Sequence, residues 1–574
     1  MQSVKNDWTE HIPGYHFGES ADGAAHAQNA KKDDKGKTTM GWSNISLPAM
    51  QCETRFGDRV VPMFSQRPRN LWEMVETAVG RNPDGEALIF GDERLNWREL
   101  AQRSSAIATG LRQLGLERGD RIAILLGNRT EFVLTLFAAA KLGLVSVLLS
   151  TRLQKPEIAY MLTDCGARAI VHEATLEDRL PEARDVPELL YRVSVGASDG
   201  SLPFAELAEH PPLATAADVG EEDTALIMYT SGTTGRPKGA MLAHCNVIHS
   251  SMVYQACMAL TPADRSIAAV PLAHVTGTIA NIMAMACCAG TLIVVPEFKA
   301  ADYLRIAARE RATQTIMVPA MYNLCLLQAD FDSYDLSAWR IGGYGGAPMP
   351  ITTIEKLARK IPGLKLINDY GATETTSPST IMPPEFTATH IDSVGLPCPG
   401  ATIVAMDEQG REVPRGEVGE LWIHGGSIIR GYWNNAKATA ESFTGGFWHS
   451  GDLGSVDESN FVRVFDRKKD MINRGGHKIY SAEVESVLAG HEDVVESAII
   501  AKPCPVLGER VHAVIVTRNP QLDVDALRAW CATQVSDYKV PESITVSTEP
   551  LPRNANGKVL KKKLREDLLA SLSV

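Results

Sequence analysis

Residues 229–239 read YTSGTTGRPKG, a short stretch built mostly from glycine and hydroxyl residues with one lysine near its end. Glycine lets backbone N–H groups approach an anion, hydroxyls donate hydrogen bonds, and an ammonium offsets charge, so the composition suits a phosphate cradle. The same residue types also make ordinary polar turns. The loop follows TALIMYT (224–230), an apolar run that reads as a strand, which is the setting a phosphate loop needs. It is not a Walker A loop. That motif places lysine between a glycine and a hydroxyl, whereas Lys238 lies between Pro237 and Gly239. No GxGxxG opens a helix after a strand either. Other residues with chemical potential stand alone: Glu374 between two threonines, Asp452 after Gly451, Lys558 in a basic tail and His274 after an apolar run. Taken singly, each has a plain reading as a loop carboxylate, a turn, a solvated helix face or a core histidine.

The elements that must position these residues come from the wider chain. Its 574 residues exceed what one hydrophobic core usually serves, so two or more domains are expected. A net charge of -12 argues against a nucleic-acid surface, while leaving room for a local basic site. Ten cysteines show no CxxC and no metal-type spacing, which predicts reduced core thiols and a cytoplasmic protein. Residues 1–50 are expected to be a poorly ordered tail. The runs EFVLTLFAAAKLGLVSVLLS (131–150) and TIANIMAMACCAGTLIVV (278–295) are each interrupted by glycine. Each therefore predicts a buried helix followed by a buried strand, with no transmembrane segment. From about residue 85, β-branched runs alternate with helical patterns, which implies parallel α/β layers. ATIVAMDEQGREVPRGEVGELWIHG (401–425) changes to strands and tight turns, an antiparallel β module. After the charged break DRKKDM (466–471) the patterns support a separate small α+β domain.

Six further segments settle what the loop belongs to: GGYGGAP (342–348), NDYGATETT (368–376), GYWNN (431–435), HSGDLG (449–454), DRKKDMINRGGHKIYSAEVE (466–485) and PRNANGK (552–558). In this order and at these intervals they resemble the core motifs of the adenylate-forming (AMP-binding) superfamily, in its acyl- and aryl-CoA synthetase branch. The resemblance covers roughly residues 60–570. It implies an α/β fold with a large N-terminal adenylating domain (60–466), formed of α/β layers plus the small antiparallel module. A small mobile α+β C-terminal lid (467–574) follows.

The resemblance also implies an activity: a carboxylic acid and ATP give an acyl-adenylate and pyrophosphate, and coenzyme A then takes the acyl group. Mg²⁺ accompanies the ATP. By that likeness Thr230, Ser231, Gly232, Thr233, Thr234, Gly235 and Lys238 cradle the phosphates. Thr373 meets the α-phosphate, and Glu374 with Thr230 holds the metal. Tyr370 offers a face to adenine, with Gly346, Ala347, Asp369 and Gly371 around it. Asp452 and Arg467 hold the ribose, His274 gates the carboxylate, and Lys558 is the catalytic lysine. Lys469 takes the pivot position, and Asn473, Gly475, Gly476 and His477 line the entry for coenzyme A.

The acyl pocket implied by the resemblance draws on 271–281, 318–324, 342–346 and 370–382. None of these contains Lys or Arg, and the sole acid is Glu374. A second substrate charge buried without a partner would cost several kcal/mol or more, so an uncharged fatty or aromatic monocarboxylate is expected. Gly277, Ala280 and Gly371 are expected to leave room for the acyl tail. The main alternative is an adenylating enzyme that loads a carrier protein. A luciferase-like oxygenase and a non-catalytic ATP binder complete the set. Oligomeric state, the role of residues 1–40 and the pathway are not legible in the sequence.

Overall fold

The structure is a computed structural model. It describes residue 42 and residues 45–230, 236–328, 330–347, 349–519, 521–554 and 557–572, with the backbone of 31–32 and 38–39. Most of the expected tail therefore lies outside the described residues. Two compact units form: Met1–Thr402 with His424–Trp448, and Ile403–Ile423 with His449–Val574.

The larger unit contains two large sheets beside small two-stranded ones such as Met50–Arg55 with Arg59–Phe64. The first runs, edge to edge, through Leu202–Pro203, Tyr191–Val195, Ala167–Glu173, Arg121–Leu125, Val145–Leu148, Thr224–Thr230 and Lys238–Ala243. Its neighbours are parallel except the last pair, Thr224–Thr230 against Lys238–Ala243, which is antiparallel. The glycine-rich loop is thus the connection between those two strands. The second sheet has nine strands, with Lys365–Tyr370, Ile341–Tyr344, Gln314–Met317, Arg265–Ala268, Thr291–Val294 and Glu86–Phe90 as its parallel centre.

Helices follow the expected pattern. Thr130–Leu142 is buried almost all round and stops at Gly143, whose φ of 72° gives a left-handed cap that a side chain would disfavour. The second long apolar run divides as its composition predicts. A wide-turned helix Thr276–Met283 continues as Ala284–Cys288 and gives way, past Gly290, to the strand Thr291–Val294. Among the described residues no helix is long and apolar enough to cross a membrane. All ten cysteines are free and nine are buried.

Two of the room-making positions behave otherwise. A Cβ on Gly277 would lie 2.1 Å from the Pro271 carbonyl oxygen, and one on Gly371 would lie 3.2 Å from the Pro378 Cα. The absent side chains are used for backbone packing, so they open no space for a substrate.

The smaller unit begins with the antiparallel strands Thr402–Met406, Gly419–His424, Phe447–Val456 and Val462–Arg467. The last two are joined by a tight turn whose Asp457 N–H donates to the Phe461 carbonyl. This pairing carries most of the antiparallel module into the unit that holds the C-terminal residues, whereas the sequence reading grouped it with residues 60–466. A second sheet, His477–Ile479, Ile472–Arg474, Gly508–Thr517, Val494–Cys504 and Ser543–Ser547, packs Ile472, Ile499, Val511 and Ile515 with Val484, Leu488 and Leu527 of its helices.

Candidate active site

In the larger unit the site is assembled at the ends of strands. Thr230 is the last residue of Thr224–Thr230, and Lys238 is the first of the returning strand. Glu374 belongs to the single turn Thr373–Thr375 that follows the strand Lys365–Tyr370. The carboxylate of Glu374 is 9 % exposed, so it is not a solvated loop residue. Its Oε1 accepts hydrogen bonds from the Thr230 hydroxyl at 3.1 Å and from the Tyr432 hydroxyl at 3.0 Å. Lys238 places its ammonium 5.0 Å from the centroid of the Tyr432 ring. Residues far apart in sequence therefore converge on one carboxylate.

Tyr432 carries no role in the sequence reading, although GYWNN is among the motifs. It both bonds Glu374 and supports Lys238. Burial, then the charge of Glu374, pushes its phenol far above the ordinary range, so it remains a donor at any working pH. Its signal in the sequence is faint, because nothing in the motif shows which carboxylate the phenol meets.

Other expected nucleotide contacts lie close along the chain. Gly346 has a φ of +77°, which fits glycine and disfavours side chains, and it is exposed beside Ala347. Thr373 opens the Glu374 turn, and Tyr370 ends the strand before it. Ser231, Gly232, Thr233, Thr234 and Gly235 lie outside the described residues. Asp369 is placed differently from its neighbours. Its carboxyl is turned inward, 7 % exposed, and its Oδ2 accepts from the Tyr254 hydroxyl at 2.6 Å. His274 is partly buried, with the Thr276 N–H donating to its Nδ1 at 3.3 Å, and desolvation lowers its basicity. It is neutral near pH 7.

The smaller unit gathers a second set. Asp452 and Arg467 stand opposite each other on paired strands, with Arg467 Nε 2.7 Å from Asp452 Oδ1. Lys558 lies at a turn where Gly557 has a φ of +82°, and the Asn554 side chain accepts its N–H at 2.9 Å. Desolvation, then the charge of Arg467, pulls the Lys558 ammonium down to about 8, against an upward pull from Asp452. Lys469 and Asp470 act on the same ammonium. The residues expected to hold ribose, to pivot and to catalyse are thus neighbours within this unit.

Asn473, Gly475, Gly476 and His477 form one hairpin between Ile472–Arg474 and His477–Ile479. Both glycines have positive φ, 58° and 92°, the requirement of a two-residue hairpin turn. The Asn473 side chain accepts the Gly476 N–H at 3.1 Å, and His477 stacks on Tyr538.

A single carboxylate with an adjacent hydroxyl is a sparse metal site by itself. Among the described residues no group of three or more His, Cys, Asp or Glu could hold an ion. Oxygen donors of this kind fit Mg²⁺, which usually takes one or two carboxylates and completes its shell with phosphates and water.

Comparison with known proteins identifies the family. Feruloyl-CoA synthase from Amycolatopsis sp is 36 % identical over 490 residues, spanning 84 % of this chain and 96 % of the relative. The long-chain-fatty-acid–CoA ligase FadD13 of Mycobacterium tuberculosis is 31 % identical over 84 % of this chain and 94 % of its own. Among solved structures, the anthranilate CoA ligase AuaEII in complex with anthranoyl-AMP superposes with a TM-score of 0.82 at 26 % identity, covering 88 % of this chain and 99 % of that one. The o-succinylbenzoate CoA synthetase of Bacillus subtilis with ATP and magnesium gives 0.77 at 29 %, covering 87 % and 99 %. The AMP-binding enzyme family matches residues 75–433, and the AMP-binding enzyme C-terminal domain matches residues 483–558. This chain belongs to the AMP-binding enzyme family.

Proposed function

We propose that this protein is an ATP-dependent acid–CoA ligase acting on an aromatic or fatty monocarboxylate. The observation that carries the reading is the convergence of Thr230 and Tyr432 on Glu374 at the strand ends, with the Lys238 ammonium over the Tyr432 ring. The relatives named above are CoA ligases for aryl and fatty acids, and one solved neighbour holds an acyl-adenylate.

In the first half-reaction a carboxylate oxygen bonds to the α-phosphorus of ATP and pyrophosphate leaves. Two anions must approach, so fixed donors and cations around the α-phosphate lower the barrier. Magnesium, when bound, would neutralise charge on the phosphates. Glu374 and Thr230 would hold it, Lys238 would face the outer phosphates, and Thr373 would donate to the α-phosphate. Lys558 would bring its ammonium to the carboxylate and the α-phosphate. Asp452 and Arg467 would hold the ribose. In the second half-reaction the thiol of coenzyme A attacks the acyl carbonyl and AMP departs.

Lys469 is the expected pivot between the two half-reactions. The turn around it is held by N–H groups of Lys468, Asp470 and Met471, so proline at 469 would fix φ without removing those bonds. The Gly475–Gly476 turn alters how the entry channel must be tested. Leucine at 476 would strain a left-handed position as well as narrow a channel, whereas asparagine tolerates that conformation.

The test separates the half-reactions. Lys558→Ala should lose roughly 10²–10³ in pyrophosphate release, while thiolysis of a supplied acyl-adenylate survives. Lys469→Pro should keep adenylate formation and lose thioester synthesis. Equal loss of both half-reactions in folded variants removes these assignments. If free coenzyme A gives no thioester but an acyl carrier protein is loaded, the carrier-loading reading replaces the ligase.

A further inference from the structure

Five positions before Glu374 lies a buried carboxyl that the reaction does not use. Asp369 ends one Oδ on Tyr254, whose hydroxyl is also 3.0 Å from the Ser377 Oγ. The other oxygen, Oδ1, is buried and has no hydrogen-bond partner among the described residues. Two more buried oxygens share that state: Thr376 Oγ1 and Ser379 Oγ, on either side of Ser377. Thr376 and Ser379 are 0 % exposed. Thr376 and Ser377 also hold positive φ values, 50° and 30°, an uncommon state for residues with side chains and a severe one for a β-branched threonine. Native interiors pair almost all such atoms, because a buried donor or acceptor left unpaired is costly. Three in one stretch of eleven residues leave bonding capacity there for a further donor.

The position of the group says which partner. Asp369 adjoins Tyr370, and the backbone of Gly345 presses against it: a Cβ there would stand 2.2 Å from the Asp369 carbonyl oxygen. Segments 342–346 and 370–382 are two walls of the acyl pocket that the family resemblance implies. Resting on that reading, we propose that Asp369 is a specificity-determining residue, whose free Oδ1 accepts a hydrogen bond from a phenolic hydroxyl on an aromatic acid substrate.

The remaining chemistry favours this donor. Ser377 adds a hydroxyl to the same network through its contact with the Tyr254 phenol. Desolvation raises the Asp369 carboxyl to about 7, and among the described residues the titratable groups that interact with it include the Tyr254 phenol and the Cys257 and Cys398 thiols. Near neutrality it is therefore divided between acid and carboxylate. A neutral hydroxyl can bond either form, whereas an ammonium needs the charged one. A rigid aromatic tail also holds its hydroxyl at a fixed distance from the reacting carboxylate, while a flexible hydroxylated chain would lose rotamer freedom to reach the same point.

The experiment compares 4-hydroxycinnamate with cinnamate, and decanoate as a third acid, by pyrophosphate release and thioester formation. A site built for a hydroxyl rejects the analogue that lacks it, so kcat/KM should favour 4-hydroxycinnamate by roughly 10²-fold or more. Asp369→Leu should reduce that ratio below about ten-fold, chiefly through a lower kcat/KM for 4-hydroxycinnamate. Asp369→Ala and Asp369→Val, which also remove the acceptor, serve if the leucine variant does not fold, as judged by circular dichroism; each should reduce the ratio. Equal use of both aryl acids by the wild type overturns the proposal, as does an unchanged ratio in the folded variants. Turnover of decanoate alone overturns it and leaves the ligase reading standing. Failure of all three acids, together with a wider acid panel, defeats the ligase reading and the proposal with it.

Discussion

Two carboxyl groups flank Tyr370 and Gly371, and they meet opposite fates. Glu374 is buried, yet two hydroxyls, from Thr230 and Tyr432, converge on one of its oxygens. Asp369 is buried to the same degree, has one phenol on one oxygen, and finds no partner for the other among the described residues. The local sequence around both is short, polar and rich in threonine, and gives no hint of this division. The partners decide it. Glu374 draws its donors from a strand end and from a segment nearly sixty residues downstream, whereas Asp369 meets a helix face and a tightly wound loop. A buried carboxylate already held by hydroxyls is ready to take a cation beside it. One with a vacant oxygen suits a neutral donor.

The comparison makes predictions of decreasing size. Glu374→Gln keeps the shape and the hydroxyl contacts but removes the charge. Adenylation should fall by roughly 10²–10³, with a higher Mg²⁺ requirement, measured by pyrophosphate release across a magnesium titration. Unchanged activity and magnesium demand would return Glu374 to a structural role. Tyr432→Phe removes one of the two donors and should raise the Mg²⁺ or ATP concentration for half-maximal rate by about ten-fold, the scale of one hydrogen bond to a charged group. An unaltered nucleotide requirement would make Tyr432 packing only.

Asp369→Asn should act on stability, and its sign follows from the raised pKa. The folded carboxyl titrates at about 7, against 3.8 for the ordinary group. Between those values the folded state binds more protons than the unfolded one, so the wild type loses stability as pH rises toward and past 7. Asparagine has no such cost. Between pH 6 and pH 8 the variant should gain on the order of 1 kcal/mol over the wild type, read as a widening gap between their melting temperatures. A constant gap would mean that Asp369 is not held near neutrality. A smaller effect concerns Lys558, whose ammonium is lowered to about 8. If adenylation needs that charge, kcat/KM for ATP should fall as pH rises through 8, and Lys558→Arg should move the fall to higher pH.

Much of this protein was legible in its residues. The alternation of β-branched and helical runs, broken by Gly143 and Gly290, specified the parallel layers, because local periodicity and glycine punctuation act over short distances. The order of the glycine-rich loop and six motifs identifies the family, and Thr230 and Glu374, grouped by that resemblance, lie in contact at 3.1 Å. What the sequence could not decide depended on atoms meeting across long stretches of chain. It left Tyr432 without a partner, set Asp369 among the nucleotide contacts, and offered Gly277 and Gly371 as space. Burial and direction are tertiary quantities: a letter states what a side chain can donate or accept, while only the packing around it states which donors are taken and which oxygen is left waiting.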